Sequence, residues 1–112
     1  MNIQIYAHKR DFEVQKAERY FKERRIPYQF VDLAKHAMGL KELESVYRQV
    51  GLKDMVVVSD KDWQSHYIVQ LTDVQEALEK LRDNPKLLKT PIVRNGRLAT
   101  VGYQPDIWAQ WK

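Results

Sequence analysis

The residues with the most distinctive chemistry lie around position 11, at the start of a predicted helix. Asp11 would place a carboxylate against backbone N–H groups that no helical carbonyl satisfies. Such an N-cap is worth about 1 kcal/mol. His8 lies three residues earlier, so the two side chains could form an acid–base pair or a simple surface contact. We interpret Asp11 as a cap and the pair as a surface contact.

Basic side chains surround this position and recur late in the chain. The candidate contacts for an anion or a partner are Lys9, Arg10, Lys89, Arg94 and Arg97. Asp11 would already neutralise the positive helix end, which weighs against phosphate or arsenate binding there. The net charge of +4 comes without a nucleic-acid-binding motif, so a solvated surface is favoured over a nucleic-acid site.

The 112 residues contain no cysteine, which excludes a thiol nucleophile, a disulfide and thiolate ligation of a metal. His8, His36 and His66 are too far apart in sequence for a local metal-ligand motif. No nucleophile-elbow, Walker or dinucleotide-binding pattern is present. We therefore predict no catalytic residue, no metal and no cofactor.

Length and hydropathy indicate one domain spanning residues 1–112. No apolar run approaches the ~20 residues of a membrane span. The first ten residues lack the apolar region of a signal peptide. We expect a cytoplasmic protein without membrane association.

Three predicted elements position Asp11. The alternation of isoleucines predicts a strand over Asn2–Tyr6, followed by a helix that begins after Asp11 and ends near Arg25. Pro27 disfavours helical conformation in the residue before it. A second strand follows over Tyr28–Val31. This order predicts a βαβ unit with parallel strands.

The middle of the chain has a weaker pattern. Apolar spacing predicts a helix over residues 40–50. The run 55–58 could be a strand or a buried extended segment, and 60–70 a loop or short helix. Thr72 and Gln75 form the pattern of a capping box before a further helix.

The end of the chain has the clearest local signal. Asn95-Gly96, between the apolar runs 90–94 and 97–101, predicts a hairpin with a type I′ turn. Pro105 suits the first turn of a last helix, on which Ile107 and Trp111 would share one face.

Three stretches, QKAERYFKERRIPYQFVDL at 15–33, NPKLLKTPIV at 84–93 and LATVGY at 98–103, resemble the arsenate reductase/Spx family. The resemblance implies an α/β, thioredoxin-like (glutaredoxin/arsenate reductase-like) mixed sheet. Its parts would be an N-terminal βαβ unit, an inserted helical region at about 36–88 and a C-terminal ββα unit.

The resemblance also implies which positions correspond to the family's active site. The nucleophilic cysteine falls on Asp11, and the second cysteine of C-x-x-C members falls on Val14. The arginine that binds the oxyanion is replaced by Thr90, whereas Pro91 keeps the proline expected to be cis. Asp11 would then imitate a permanently reduced relative or serve only as a cap, and we favour the cap.

Three functions remain open. The leading hypothesis is a non-catalytic protein-binding or regulatory module, because Gly102-Tyr103 resembles the Spx-like branch. That branch includes regulators that bind the RNA polymerase α subunit, which makes α a candidate partner. The alternative is an arsenate reductase or glutaredoxin-like oxidoreductase. A third is homo-oligomerisation through an edge strand or the tryptophan-bearing helix.

Overall fold

The computed structural model describes residues 1–57 and 63–111, and only the backbone over 63–66. Within these residues, strands and helices alternate at first and helices then dominate the middle of the chain. The elements in chain order are β1 (Ile3–Ala7), α1 (Phe12–Glu23), β2 (Tyr28–Asp32), α2 (Leu40–Val50), α3 (Leu52–Met55), α4 (Trp63–Gln70), α5 (Val74–Asp83), a 3-10 helix (Pro85–Leu87), β3 (Ile92–Asn95), β4 (Leu98–Val101) and α6 (Pro105–Trp108).

The strands form one mixed sheet in the order β2-β1-β3-β4. β1 and β2 are parallel, with Ile5 opposite Phe30, as the βαβ prediction requires. β3 is antiparallel to β1 and places Val93 beside Ile5 on its other side. β3 and β4 form the predicted hairpin. The mixed α/β class predicted from the sequence is confirmed.

Helices pack on both faces of the sheet, so the domain has two cores. Ile3 and Ile5 face α1 and α6, where Phe21 and Trp108 are buried with them. Tyr6, the next residue along β1, points to the opposite face. The two-residue period of the strand therefore supplies both cores. The second core includes Leu43, Val46, Leu78, Leu81 and Ile92.

α1 ends at Glu23, two residues before Arg25, near which the sequence predicted its end. The hydrogen bonds of the backbone explain where it ends. The N–H of Ile26 donates to the carbonyl of Phe21 at 2.9 Å, and the N–H of Arg25 donates to that of Lys22 at 3.0 Å. This is a Schellman motif, which requires a left-handed residue after the C-cap. Arg25 takes that conformation, with φ of 58°. Pro27 follows a helix that has already ended.

Replacing Arg25 with glycine should raise the free energy of unfolding by about 0.5–1 kcal/mol. Left-handed backbone costs an L-residue roughly 1–2 kcal/mol, and glycine's extra freedom in the unfolded chain offsets part of that gain. Urea denaturation measures the change. The control is Arg24→Gly, which should destabilise because the Arg24 guanidinium lies 3.7 Å from the Tyr20 ring centroid. A loss of stability in Arg25→Gly would contradict the prediction.

The capping box predicted at Thr72 and Gln75 is wrong by one residue. Asp73 is the N-cap of α5, and its Oδ1 accepts from the N–H of Glu76 at 3.3 Å. Aspartate caps at least as well as threonine and adds a negative charge at the helix start. Thr72 therefore lies outside the helix.

The predicted hairpin turn is also shifted by one residue. Asn95 pairs with Leu98 within the sheet, so the two turn residues are Gly96 and Arg97. Gly96 has φ of 62°, whereas Arg97 is not among the described residues with positive φ. A type I′ turn needs positive φ at both positions, and positive φ at the first alone is the pattern of type II′.

The segment after α2 is mostly helical where it is described. Met55 ends α3, and Val56 forms an isolated antiparallel bridge with Leu88. The predicted strand at 55–58 is thus a single bridge, and Val58 lies outside the described residues. The prediction for 60–70 was a loop or short helix. Trp63–Gln70 forms the helix α4, and residues 60–62 lie outside the described part of the chain.

The predicted face of the last helix is wrong. α6 is a single turn, in which Ile107 is 44% exposed while Trp108 and Trp111 are buried. Trp108 Nε1 donates to Thr100 Oγ1 at 2.7 Å, which ties the indole to β4. A helix this short has no continuous face, so the sheet selects which side chain is buried.

Candidate functional site

Asp11 caps the first long helix, as predicted. Its backbone is extended, and its Oδ1 accepts from the N–H of Val14 at 3.0 Å. The side chain of Val14 is fully buried. The position that the sequence resemblance matches to the family's nucleophile holds an exposed carboxylate, and the one that it matches to the second cysteine holds a core residue.

His8 and Asp11 do not pair. His8 Nε2 lies 3.4 Å from the carbonyl oxygen of Leu88, while the Asp11 side chain faces α1. The contact joins the loop after β1 to the segment that precedes Thr90. The acid–base pair considered from the sequence is thus replaced by two separate contacts that order the loop.

The Thr90-Pro91 peptide bond is cis, as expected. The Pro91 carbonyl accepts from the N–H of Gly102 at 2.8 Å, and the N–H of Lys89 donates to the Met55 carbonyl at 2.8 Å. These bonds fix both sides of Thr90, which is partly exposed and lines the same cavity as Asp11.

A cavity of about 770 Å³ lies between the α1 start and the Thr90 segment, a size common for ligand sites. We call it the Asp11 cavity. Its lining mixes charges of both signs, and Val57 and Ile107 at its wall are each 44% exposed. The charged lining residues are Lys9, Asp11, Glu13, Asp54, Lys86 and Lys89. This mixture differs from a uniformly cationic anion site.

Two of the predicted basic contacts, Lys9 and Lys89, line the Asp11 cavity, but Arg10 does not. Arg10 Nε lies 2.8 Å from Glu18 Oε1, and its guanidinium stacks 3.9 Å from the centre of the Phe30 ring. Glu18 is a nearly buried carboxylate that needs a cationic partner. Arg10 therefore supports the α1–β2 packing.

Arg94 and Arg97 do not line the Asp11 cavity. They line a second cavity, of about 350 Å³, with side chains of α2. The sequence had suggested one basic group that included Lys89 and Arg94. Arg94 precedes the hairpin turn on β3, whereas Lys89 lies just before β3 begins, so the strand separates them.

Sequence inspection missed the contribution of α2 and α6 to the Asp11 cavity. Gln49 and Val50 line it from the end of α2, and Gln104 and Ile107 line it from the start of α6. Neither helix has a chemical motif, so no local signal marks these residues. Among the described residues, no group of three or more His, Cys, Asp or Glu is placed to share a metal ion. None of the helices described is long and apolar enough to cross a membrane.

The ArsC family model matches residues 8–111 of this chain. The Global transcriptional regulator Spx 2 of Oceanobacillus iheyensis is 24% identical over 128 aligned positions, covering 100% of this chain and 94% of that protein. The Global transcriptional regulator Spx of Listeria innocua is 23% identical over 107, covering 93% and 82%.

Solved structures of similar fold include two that cover almost the whole chain. A Staphylococcus aureus protein solved by NMR superposes with a TM-score of 0.80 at 20% identity, covering 96% of each chain. An arsenate reductase from Vibrio cholerae gives 0.76 at 20% identity, covering 96% of this chain and 94% of that one. These matches show the fold, which is thioredoxin-like, and confirm the predicted fold class.

Proposed function

The chain belongs to the ArsC family, and we propose that it acts there as a non-catalytic protein-binding module. The observation that carries the proposal is the Asp11 carboxylate at the α1 start, the position matched to the family's nucleophilic cysteine. Its Oδ1 accepts a hydrogen bond of 3.0 Å from the backbone N–H of Val14, in the first turn of the helix. A helix start lowers a thiol's pKa and so favours a reactive thiolate. In this chain the same field holds a carboxylate.

A carboxylate at this position lacks the bonds that the family's thiol chemistry uses. It forms neither a disulfide nor a sulfur–arsenic adduct, and the 112 residues offer no other thiol. Thr90 replaces the matched arginine with a neutral hydroxyl. An arginine binds an oxyanion with charge and a bidentate fork, and threonine supplies neither. The first change removes the thiol that would react with an oxyanion such as arsenate, and the second removes the side chain that would bind it.

The surface of the Asp11 cavity suits a protein segment. Val57 and Ile107 provide exposed apolar contacts, and charged side chains of both signs surround them. An apolar centre with a polar, charged rim is the usual arrangement of protein interfaces. We assign the contacts Lys9 and Lys89 to this rim.

We propose further that the module is a transcriptional regulator, and that its partner is the C-terminal domain of the RNA polymerase α subunit. Two relatives named as global transcriptional regulators support this choice, since they align over 93–100% of the chain. Such a partner places the protein in the cytoplasm.

Isothermal titration of the chain with the purified α C-terminal domain tests this partner. We expect saturable one-to-one binding, and we expect Ile107→Glu to weaken it at least about tenfold, because an exposed apolar residue at an interface centre would become charged. Leu98→Glu is the matched control: Leu98 is 39% exposed on β4 and does not line the Asp11 cavity. No binding at about 100 μM, or equal loss in both variants, would contradict the proposal.

The alternative is an arsenate reductase or glutaredoxin-like oxidoreductase, which the arsenate reductase of similar fold favours. An arsenate reduction assay with glutathione or a thioredoxin system as reductant separates the two. We expect the rate to equal that of the blank without protein. Turnover above the blank that scales with protein concentration would replace our proposal.

A further inference from the structure

The second cavity, which we call the α2–hairpin cavity, is a strongly basic part of the described surface. It measures about 350 Å³ and lies between α2 and the Gly96-Arg97 turn. Its cationic lining residues are Lys41, Arg48, Arg94 and Arg97, and among the residues with described side chains Glu44 is the one acidic residue that lines it. It shares only Gln49 with the Asp11 cavity.

Arg94 is fixed in this cavity by neutral acceptors. Its Nε donates to Ser45 Oγ at 3.0 Å, and its Nη1 donates to Gln4 Oε1 at 2.9 Å. Its Nη2 donates to the Gly96 carbonyl at 3.1 Å. The guanidinium is therefore oriented without a carboxylate in direct contact, and one N–H of Nη2 is left over from its five donors.

The carboxylate of Glu42 is connected to Arg94 only through the hydroxyl of Tyr6. Arg94 Nη1 also donates to the Tyr6 hydroxyl at 3.2 Å, and that hydroxyl lies 3.1 Å from Glu42 Oε2. Burial raises the pKa of the Tyr6 hydroxyl, so it stays neutral at physiological pH. Arg94 thus keeps its positive charge without a direct ion pair.

The other cations leave a surplus of positive charge. Arg48 pairs with Glu44 at 2.5 Å, which neutralises both. For Lys41 and Arg97, no side-chain hydrogen bond or ion pair is found among the residues described. Lys41, Arg94 and Arg97 therefore line one cavity without a direct ion pair among the described residues, and Glu42 reaches Arg94 only through Tyr6. The three cations repel one another, and a bound anion would relieve that repulsion.

We propose that the α2–hairpin cavity binds the dianion of a phosphate monoester. Two negative charges match these cations better than a single carboxylate does. The Arg97 guanidinium can offer a bidentate fork to a phosphoryl group, and Arg94 can add its remaining N–H. The volume lies at the lower end of ligand cavities, which run from about 300 Å³. None of its described lining residues is aromatic, so these residues provide no platform for stacking a nucleic-acid base.

Titration calorimetry and backbone amide NMR at constant ionic strength test the site with four probes. These are glycerol phosphate, a phosphoserine peptide, the same peptide without phosphate, and acetate. We expect both monoesters to bind with Kd on the order of 1 mM or tighter and to shift the amides of Ser45 and Gly96. The ratio of the two affinities shows whether a small metabolite or a phosphorylated side chain is preferred.

Exposed cations provide the variants. Arg97→Gln and Lys41→Gln should each weaken monoester binding about tenfold, since each removes a charge-assisted contact. Lys35→Gln carries the same charge change on the loop after β2, lines neither cavity, and should leave affinity unchanged.

Several results would overturn the proposal. Affinity that survives Arg97→Gln but falls in Lys89→Gln would place the anion in the Asp11 cavity. Equal binding of acetate, or of the unphosphorylated peptide, would remove the preference for a phosphoryl group. A short oligonucleotide is added as a further probe. If it binds in an Arg97-dependent manner when both monoesters fail, the surface recognises a polyanion and the proposal is wrong. The proposal is independent of the RNA polymerase partner, so either can fail alone.

Discussion

Replacing Asp11 with cysteine should produce a thiol whose pKa lies at least about one unit below the ~8.5 of a free cysteine. The introduced sulfur would sit at the N terminus of the 12-residue helix α1, facing the backbone N–H of Val14. Unpaired N–H groups and the helix dipole favour the thiolate over the thiol. The pH dependence of alkylation by iodoacetamide measures the pKa directly.

The matched control is Lys22→Cys, at the other end of the same helix. Lys22 lies in the last turn, and its side chain is 68% exposed, so a sulfur there meets carbonyl ends instead of N–H groups. Its pKa should equal or exceed about 8.5. If both introduced thiols titrate together, Asp11 is not in the field of the helix start, and the proposed function loses its central observation.

Replacing Trp108 with alanine should lower the free energy of unfolding by about 3–5 kcal/mol. Trp108 is 2% exposed, and its ring centroid lies 5.2 Å from that of Tyr20 and 5.1 Å from that of Phe21. Alanine would leave a large void and would also leave the buried hydroxyl of Thr100 without the indole N–H that it now accepts. Urea denaturation followed by circular dichroism measures the loss.

Two further variants keep this prediction testable if the alanine variant fails to fold. Trp108→Phe retains an aromatic ring but loses the hydrogen bond, so its cost should be clearly smaller than that of alanine. Ile107→Ala changes the neighbouring residue, which is 44% exposed, and should cost less than about 0.5 kcal/mol. Equal effects at positions 107 and 108 would contradict the packing described for α6.

The parts of the fold that follow from periodicity could be predicted from the sequence. Ile3 and Ile5 alternate with neighbours that point to the opposite face, and the apolar positions of α1 recur at helical spacing around Val14. These patterns depend on residues a few positions apart, so they are visible locally. The resemblance to relatives then supplied the mixed sheet, built from a βαβ and a ββα unit, and the cis bond before Pro91, whereas the strand order came from the structure.

The predictions were wrong by one residue where two neighbouring residues suit the same cap or the same turn. Asp73 and Thr72 are both good caps, and the sequence does not show which residue leaves the helix first. Asn95-Gly96 is a favourable turn, but the pairing of Asn95 with Leu98 moves the turn by one residue. Pairing with a neighbouring strand decided the turn, and it overrides local preference.

The candidate site was predictable only in part, because its partners are distant in sequence. Position 11 could be matched to a family position, so Asp11 and Thr90 were placed together before the fold was known. Arg94 contacts Gln4, 90 residues away, and Tyr6, 88 residues away. No local pattern shows such contacts, and the α2–hairpin cavity therefore emerged only from the structure.

The carboxylate at the start of α1 has one more consequence. A thiol changes covalent state with the surrounding oxidant, whereas a carboxylate has a single oxidation state. The charge presented beside Lys9 and Thr90 is thus the same in reducing and in oxidising surroundings. A partner that docks there would meet a surface whose charge at this position does not depend on the redox state of its surroundings.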